Sequence, residues 1–182
     1  MTMTEPVARP LSPRDPRLAP WRMFLLAHAR VSRRLDEELR AEHDLSIAEY
    51  DALLTIADAP ERRIRMRQLA DEVVLSKSGV TRLIDRLVLD GLVERHACLS
   101  DARGAEAVLT PAGLSRLRSA SRTHLRGIQE HFLASVDPED APALERALGK
   151  IAFDAGPGGE PDRCNTIADL GDEEPVAEDR AS

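Results

Sequence analysis

The chain has 182 residues, 42% of them hydrophobic, 31% charged and only 3% aromatic, enough to bury one good core with a small appendage. No apolar run approaches the ~18 residues of a membrane span. Met1-Thr2-Met3-Thr4-Glu5-Pro6 lacks the basic start and apolar stretch of a secretory signal, and two cysteines, Cys98 and Cys164, make no disulfide framework, so a cytoplasmic protein is expected. The formal charge of −7 argues against a nucleic-acid partner only until it is divided along the chain, because residues 154–182 hold all of the net negative charge and residues 1–153 balance.

Residues 1–20 contain Pro6, Pro10, Pro13, Pro16 and Pro20, too many for a helix or an interior strand, and are expected to be mobile, with a short ordered stretch possible next to the first helix. From Trp21 to Glu42 the apolar residues Trp21, Phe24, Leu25, Val31, Leu35 and Leu39 recur at helical spacing. Ser46-Ile47-Ala48-Glu49 is a capping-box pattern that opens a second helix carrying Ile47, Tyr50, Leu53, Leu54 and Ala57 on one face, and Pro60 ends it. A short helix is predicted around Arg67–Val74 with Leu69, Ala70 and Val73 inward. Ser76 then caps another, with Val80, Leu83, Ile84 and Leu87 as its core stripe and Gly91 as its stop. Two helices joined by Leu75-Ser76-Lys77 form a helix-turn-helix candidate.

Leu92–His96 reads as a strand and Ala105–Leu109 as its hairpin partner, with the polar loop Leu99–Gly104 between them. A hairpin appended to a helix-turn-helix is a winged helix. Thr110-Pro111 supplies a cap and a first-turn proline for a long helix bearing Leu114, Leu117, Leu125, Ile128 and Phe132. Asp137-Pro138 opens a last helix with Leu144, Leu148 and Ile151, whose regular part Pro142 delays. Beyond Gly156-Pro157-Gly158-Gly159 the chain is acidic with few large apolar groups, a disordered tail in expectation. The domain reading is therefore a Pro-rich segment 1–20, a first dimerisation helix 21–45, a winged helix-turn-helix 46–110, C-terminal dimerisation helices 111–155 and a tail 156–182. The fold class is mainly α with a small β-hairpin wing.

Residues 21–153 resemble a MarR-family winged-helix transcriptional regulator. The resemblance lies in Leu75-Ser76-Lys77-Ser78-Gly79-Val80-Thr81-Arg82-Leu83-Ile84-Asp85-Arg86-Leu87, in Gly91-Leu92-Val93-Glu94-Arg95, in Asp101-Ala102-Arg103 and in Leu109-Thr110-Pro111-Ala112-Gly113, in this order and spacing. It implies a homodimer whose first and last two helices interlock, each subunit offering a recognition helix to the major groove and a wing to the minor groove of a pseudo-palindromic DNA operator. The activity implied is regulation of transcription, most simply repression, with no enzymatic activity and no cofactor. In the family, the acid at the position of Asp101 helps hold the arginine at the position of Arg103.

The residues agree with that role on their own chemistry. With the core stripe turned inward, Lys77, Ser78, Thr81, Arg82, Asp85 and Arg86 lie toward the other side, and the window 62–103 carries a basic excess. Ser76 through Arg82 are placed to reach base edges and phosphates. Arg82 can bond guanine bidentately, Thr81 can touch a thymine methyl, and Ser78 suits a phosphate. Gly79 removes a side chain at the point of closest approach, and Arg103 fits a narrow A·T-rich minor groove. The DNA-contact set is thus Ser76, Lys77, Ser78, Gly79, Thr81, Arg82, Arg86, Asp101 and Arg103. A face bearing Arg82, Asp85 and Arg86 also fits a solvated surface laced with local ion pairs, and a winged helix can serve as a protein-interaction scaffold.

For an effector, Trp21, Asp51 and Arg95 resemble three members of the four-residue set of the family's urate-responsive branch, and a small acidic or phenolic molecule is the implied ligand. The fourth member, an arginine, corresponds to Leu83 here, which cannot pair with an anion. Trp21 also fits a plain stapling role, Asp51 a local ion pair and Arg95 a phosphate contact. Cys98, beside His96 and Arg95, is a candidate redox trigger. His124 and His131 lie seven apart on one helix without a completing Cys or Asp, so packing rather than metal binding is expected, and no nucleotide or hydrolase motif occurs. The acidic tail could compete with DNA for the basic window; a solvated tail is the simpler reading.

Overall fold

The computed structural model describes residues 11–73, 77–97 and 104–154, with backbone only for Lys77, Phe153 and Asp154. Ser76, Cys98, Asp101, Arg103, Cys164 and the acidic tail lie outside the described residues.

Chain order is α1 (Ala19–His43), α2 (Ile47–Asp58), β1 (Arg63–Arg65), α3 (Met66–Glu72), α4 (Lys77–Leu89), β2 (Val93–Ala97), β3 (Ala105–Leu109), α5 (Pro111–His131) and α6 (Ala141–Asp154). A 3-10 turn at Pro16–Leu18, capped by the Asp15 carboxylate on Arg17 N, leads into α1. Pro20 sits in the first turn of α1, where a missing N–H leaves no bond unmade. Both halves of the expected capping box form at α2: Ser46 Oγ accepts from Glu49 N, and Ser46 N donates to a Glu49 carboxylate oxygen.

The lobe core is built where α2, α3, α4 and the sheet meet: Leu53, Ile56, Leu69, Ile84, Leu87 and Val93 are buried there. Leu83, expected in the same stripe, is only half-buried at the core's edge. The expected hairpin forms, with Val93 opposite Leu109 and Ala97 opposite Ala105. A third strand joins it: β1 pairs antiparallel with β3, Ile64 opposite Ala107, giving the order β1-β3-β2. Three residues are too few for alternation to announce a strand, and it is the pairing with β3 that gives their backbone partners.

Long α5 lies along α1 and touches α2, so one helix joins the lobe to the rest of the molecule. Its start is locked to the turn after α4. Gly91 takes φ 70° there, a left-handed conformation that favours glycine. The Thr110 hydroxyl donates to the Gly91 carbonyl at 2.8 Å and accepts from Gly113 N at 2.9 Å. A Cβ on Gly113 would lie 2.1 Å from the Leu92 carbonyl oxygen, so a side chain at that position would force α5 off the lobe. The Thr110-Pro111-Ala112-Gly113 stretch is therefore a joint. Among the described residues no element packs extensively on α6, and no helix is long and apolar enough to cross a membrane.

Candidate nucleic-acid interface

Helix α4 buries Val80, Ile84 and Leu87 and turns Ser78, Arg82, Asp85 and Leu89 outward. At ~100° per residue these four form one line opposite the core stripe, with Thr81 on one shoulder and Arg86 on the other. Arg82 is exposed, and its Nε donates to the Ser78 carbonyl one turn back, at 3.3 Å. Thr81 is exposed and Gly79 half-buried. Four arginines, Arg62, Arg63, Arg65 and Arg67, are exposed on β1 and its flanks, a cationic stretch whose strand the sequence did not announce.

The two shoulders of α4 are held from different sides. On the Thr81 side, Arg95 reaches from β2: its Nη1 lies 2.7 Å from Asp85 Oδ1, and its Nη2 donates to the Thr81 carbonyl at 3.2 Å. Arg95, expected in an effector set, thus ties β2 to α4. On the other side Arg86, expected to face DNA, turns to three carboxylates: Glu49 at 3.2 Å, Asp44 at 3.5 Å and Asp90 at 3.8 Å. Sequence spacing placed both arginines on the helix surface or strand correctly; Asp90, four residues on, is a local partner of Arg86, but its partners Glu49 and Asp44, and the partners of Arg95, come from other elements.

Of the other expected effector residues, Trp21 lies on α1 and Asp51 on α2. The Trp21 ring stacks on Phe24 with centroids 6.0 Å apart in the first half of α1 and is largely exposed. Asp51 is half-buried on α2, where its carbonyl accepts from Thr55 Oγ1.

A polar layer fastens α1 to α5. The Thr123 hydroxyl donates to Glu42 at 2.9 Å and therefore accepts from His43 Nε2 at 2.8 Å, which makes Nε2 the protonated nitrogen of His43. Arg126 also pairs with Glu42, and these bonds hold the Glu42 carboxyl below its ordinary range. Burial pushes the His43 imidazole down, and Arg116, Arg122 and Arg126 push the same way against Glu42. The His124 ring packs at a tilt on Tyr50, centroids 4.5 Å apart, with a buried Nδ1 that has no hydrogen-bond partner, and burial lowers its pKa. His131 pairs with Glu38 at 2.6 Å; with Glu130 they bring three possible ligand atoms within 4.8 Å, two of which already satisfy each other.

Comparison with known proteins gives a consistent neighbourhood. Residues 43–104, which span α2 to the wing, match the family model described as the MarR family. The HTH-type transcriptional repressor YetL of Bacillus subtilis is 30% identical over 115 residues, 63% of this chain and 68% of that one. AbsC of Streptomyces coelicolor, a MarR family transcriptional regulator, superposes with a TM-score of 0.71 at 32% identity, covering 81% of this chain and 97% of that one. Sco3205 of the same organism, solved in complex with DNA, gives a TM-score of 0.74 at 26% identity over 84% and 95% of the two chains.

Proposed function

The chain belongs to the MarR family of transcriptional regulators, and from that premise we propose that it acts as a homodimeric repressor that reads a pseudo-palindromic DNA operator. The observation that carries this reading is α4: a helix rigidly packed on one side whose other side offers Ser78, Thr81 and Arg82 to solvent. A helix so held delivers hydrogen-bond donors to base edges without further ordering, and Arg82 suits guanine. Gly79 and Lys77 near the helix start, with Ser76, Asp101 and Arg103 outside the described residues, complete the proposed contact set. Arg86 leaves it, because its guanidinium is engaged by Glu49 and Asp44.

The dimer is supported by apolar surface. Trp21, Met23, Phe24, Leu25 and Leu26 on α1, with Leu125 on α5 and Ile151 on α6, are all about half exposed in the single chain, large apolar side chains left for a partner to cover. Covering it with a second copy makes the interface self-complementary and the operator an inverted repeat. An acidic effector reaching Arg95 competes with Asp85 for the guanidinium and frees α4 from the wing, which supplies a route to release from DNA.

Selection of the purified protein against a random duplex pool tests this. The expected result is an inverted repeat with half-sites ~10 bp apart, centre to centre. With Arg82→Ala the selected operator should lose roughly 1–3 kcal/mol, concentrated at one base position. No enrichment from a folded dimer would replace the reading with that of a protein-interaction scaffold.

A further inference from the structure

Glu49 is a buried carboxylate, its side chain only 6% exposed, and a charge so placed must be matched by bonds on both oxygens. One oxygen accepts from Ser46 N and from Ser46 Oγ, each at 2.7 Å, and so closes the N-terminus of α2. The other faces Arg86 Nε at 3.2 Å. Asp44, the C-cap of α1, stands in the left-handed conformation at φ 51° and presents its carboxylate to Arg86 Nη2 at 3.5 Å. Asp36 joins the junction from α1, accepting from Ile47 N at 2.9 Å. The guanidinium of Arg86 thus fastens the recognition helix to the point where α1 passes into α2. Arg95 ties the opposite shoulder to the wing only.

In a two-fold dimer the recognition helices are as far apart, and as inclined, as their attachment to the dimerisation helices dictates. Resting on the dimeric DNA-binding reading above, we propose that Arg86 is a positioning residue. By joining α4 to the α1–α2 junction through Glu49 and Asp44, it sets the operator spacing the protein accepts, without touching DNA. A free α4 would pivot on Arg95 and its apolar stripe, and Ser78 and Arg82 would meet half-sites over a range of separations.

Glu49→Gln is the sharper probe. Buried at the start of α2, Glu49 cannot reach DNA, and glutamine keeps the capping-box acceptor while losing the charge that holds Arg86. Glu49→Gln and Arg86→Gln are to be measured against duplexes carrying the wild-type half-sites at the selected spacing, and with one or two base pairs added or removed. Both variants should lose discrimination among spacings by about tenfold, toward the low end of what one misplaced base contact costs. Base preference within a half-site and the salt dependence should stay unchanged. If Arg86→Gln instead weakens every spacing equally and lowers the salt slope by about one, while Glu49→Gln binds as wild type, Arg86 is a phosphate contact and the proposal is overturned. A Glu49→Gln protein that melts earlier yet keeps its spacing preference overturns it as well, since the contact would then serve stability alone. Should Arg86→Gln fail to fold, Glu49→Gln decides by itself. A wild-type chain that selects no operator would remove the DNA-binding reading first and this one with it.

Discussion

In α4 the apolar residues Val80, Ile84 and Leu87 are buried inside the chain, whereas in the first half of α1 the equally regular Trp21, Phe24 and Leu25 are left about half exposed, Trp21 at 55%. Both runs have helical periodicity. The difference lies in what faces them: α3 and β2 pack on α4, while α1 meets α5 mainly through its second half, where Leu35 and Leu39 are buried. Periodicity therefore identifies the face of a helix that leaves water. Whether the covering surface belongs to the same chain depends on the fold around it.

Charge placed on the open face of α1 should have the largest effect. Each large apolar side chain buried at an interface contributes roughly 1.5–3 kcal/mol, and symmetry doubles every loss. Trp21→Glu combined with Phe24→Glu is expected to convert a dimer to monomers at micromolar concentration in sedimentation experiments, with the lobe still folded. A variant that remains dimeric would take this face out of the interface. In the closed region, Leu87→Ala should cost roughly 2–5 kcal/mol in urea denaturation, by loss of contacts and a residual cavity. That loss should be independent of protein concentration; a concentration-dependent loss would place Leu87 in the interface too.

Between the two regions runs the α1–α5 polar layer, and pH sharpens the comparison there. His43 and His124 are held below the ordinary imidazole value of 6.5 by burial, so the unfolded chain takes up protons first as pH falls. Stability is then complete above about pH 6.5 and declines below it, in a range where Asp36 and Glu42 remain ionised. Burial opposes ionisation of Asp36, but its bonds from Arg40 and Ile47 N outweigh that and hold the carboxyl below its usual range. Thermal midpoints between pH 5 and 8 should show the decline, and His124→Phe, which keeps a ring packed on Tyr50, should reduce it. An unchanged slope in that variant would assign the proton uptake elsewhere. The smallest effect on stability is expected for Arg95→Ala: its partner Asp85 is half-exposed, and such a pair with one exposed guanidinium–carbonyl hydrogen bond is worth about 1 kcal/mol. Operator affinity should fall by more than that figure implies if the wing holds α4 in register; equal losses in both would leave Arg95 a surface ion pair.

Much of this architecture was legible because its signals are local. Ser46 and Glu49 close a capping box within one turn, Thr110 caps α5 on Gly113 with Pro111 at the first position, and Gly91 supplies the positive φ that ends the recognition helix. The order of motifs from Leu75 to Gly113 was likewise readable and led to the right family. The site was legible in part: the outward placement of Ser78, Thr81 and Arg82 follows from spacing alone. The allegiance of Arg86 and Arg95 did not, because an exposed arginine at helical or strand spacing has the same sequence signature whether it meets phosphate, ligand or carboxylate.

By itself, then, the sequence determined the helices, their caps, the hairpin and the outward line of α4, all of which rest on interactions within about four residues of one another or on a two-residue alternation. Only the tertiary structure decided that Arg63–Arg65 would form a strand, that the buried Glu49 would need Arg86, that Arg95 would grip Asp85 and Thr81, and that the apolar stripe of α1 would stay uncovered in a single chain. Those outcomes depend on which distant groups are brought within a few ångströms, where desolvated charges and unpaired backbone groups must find partners.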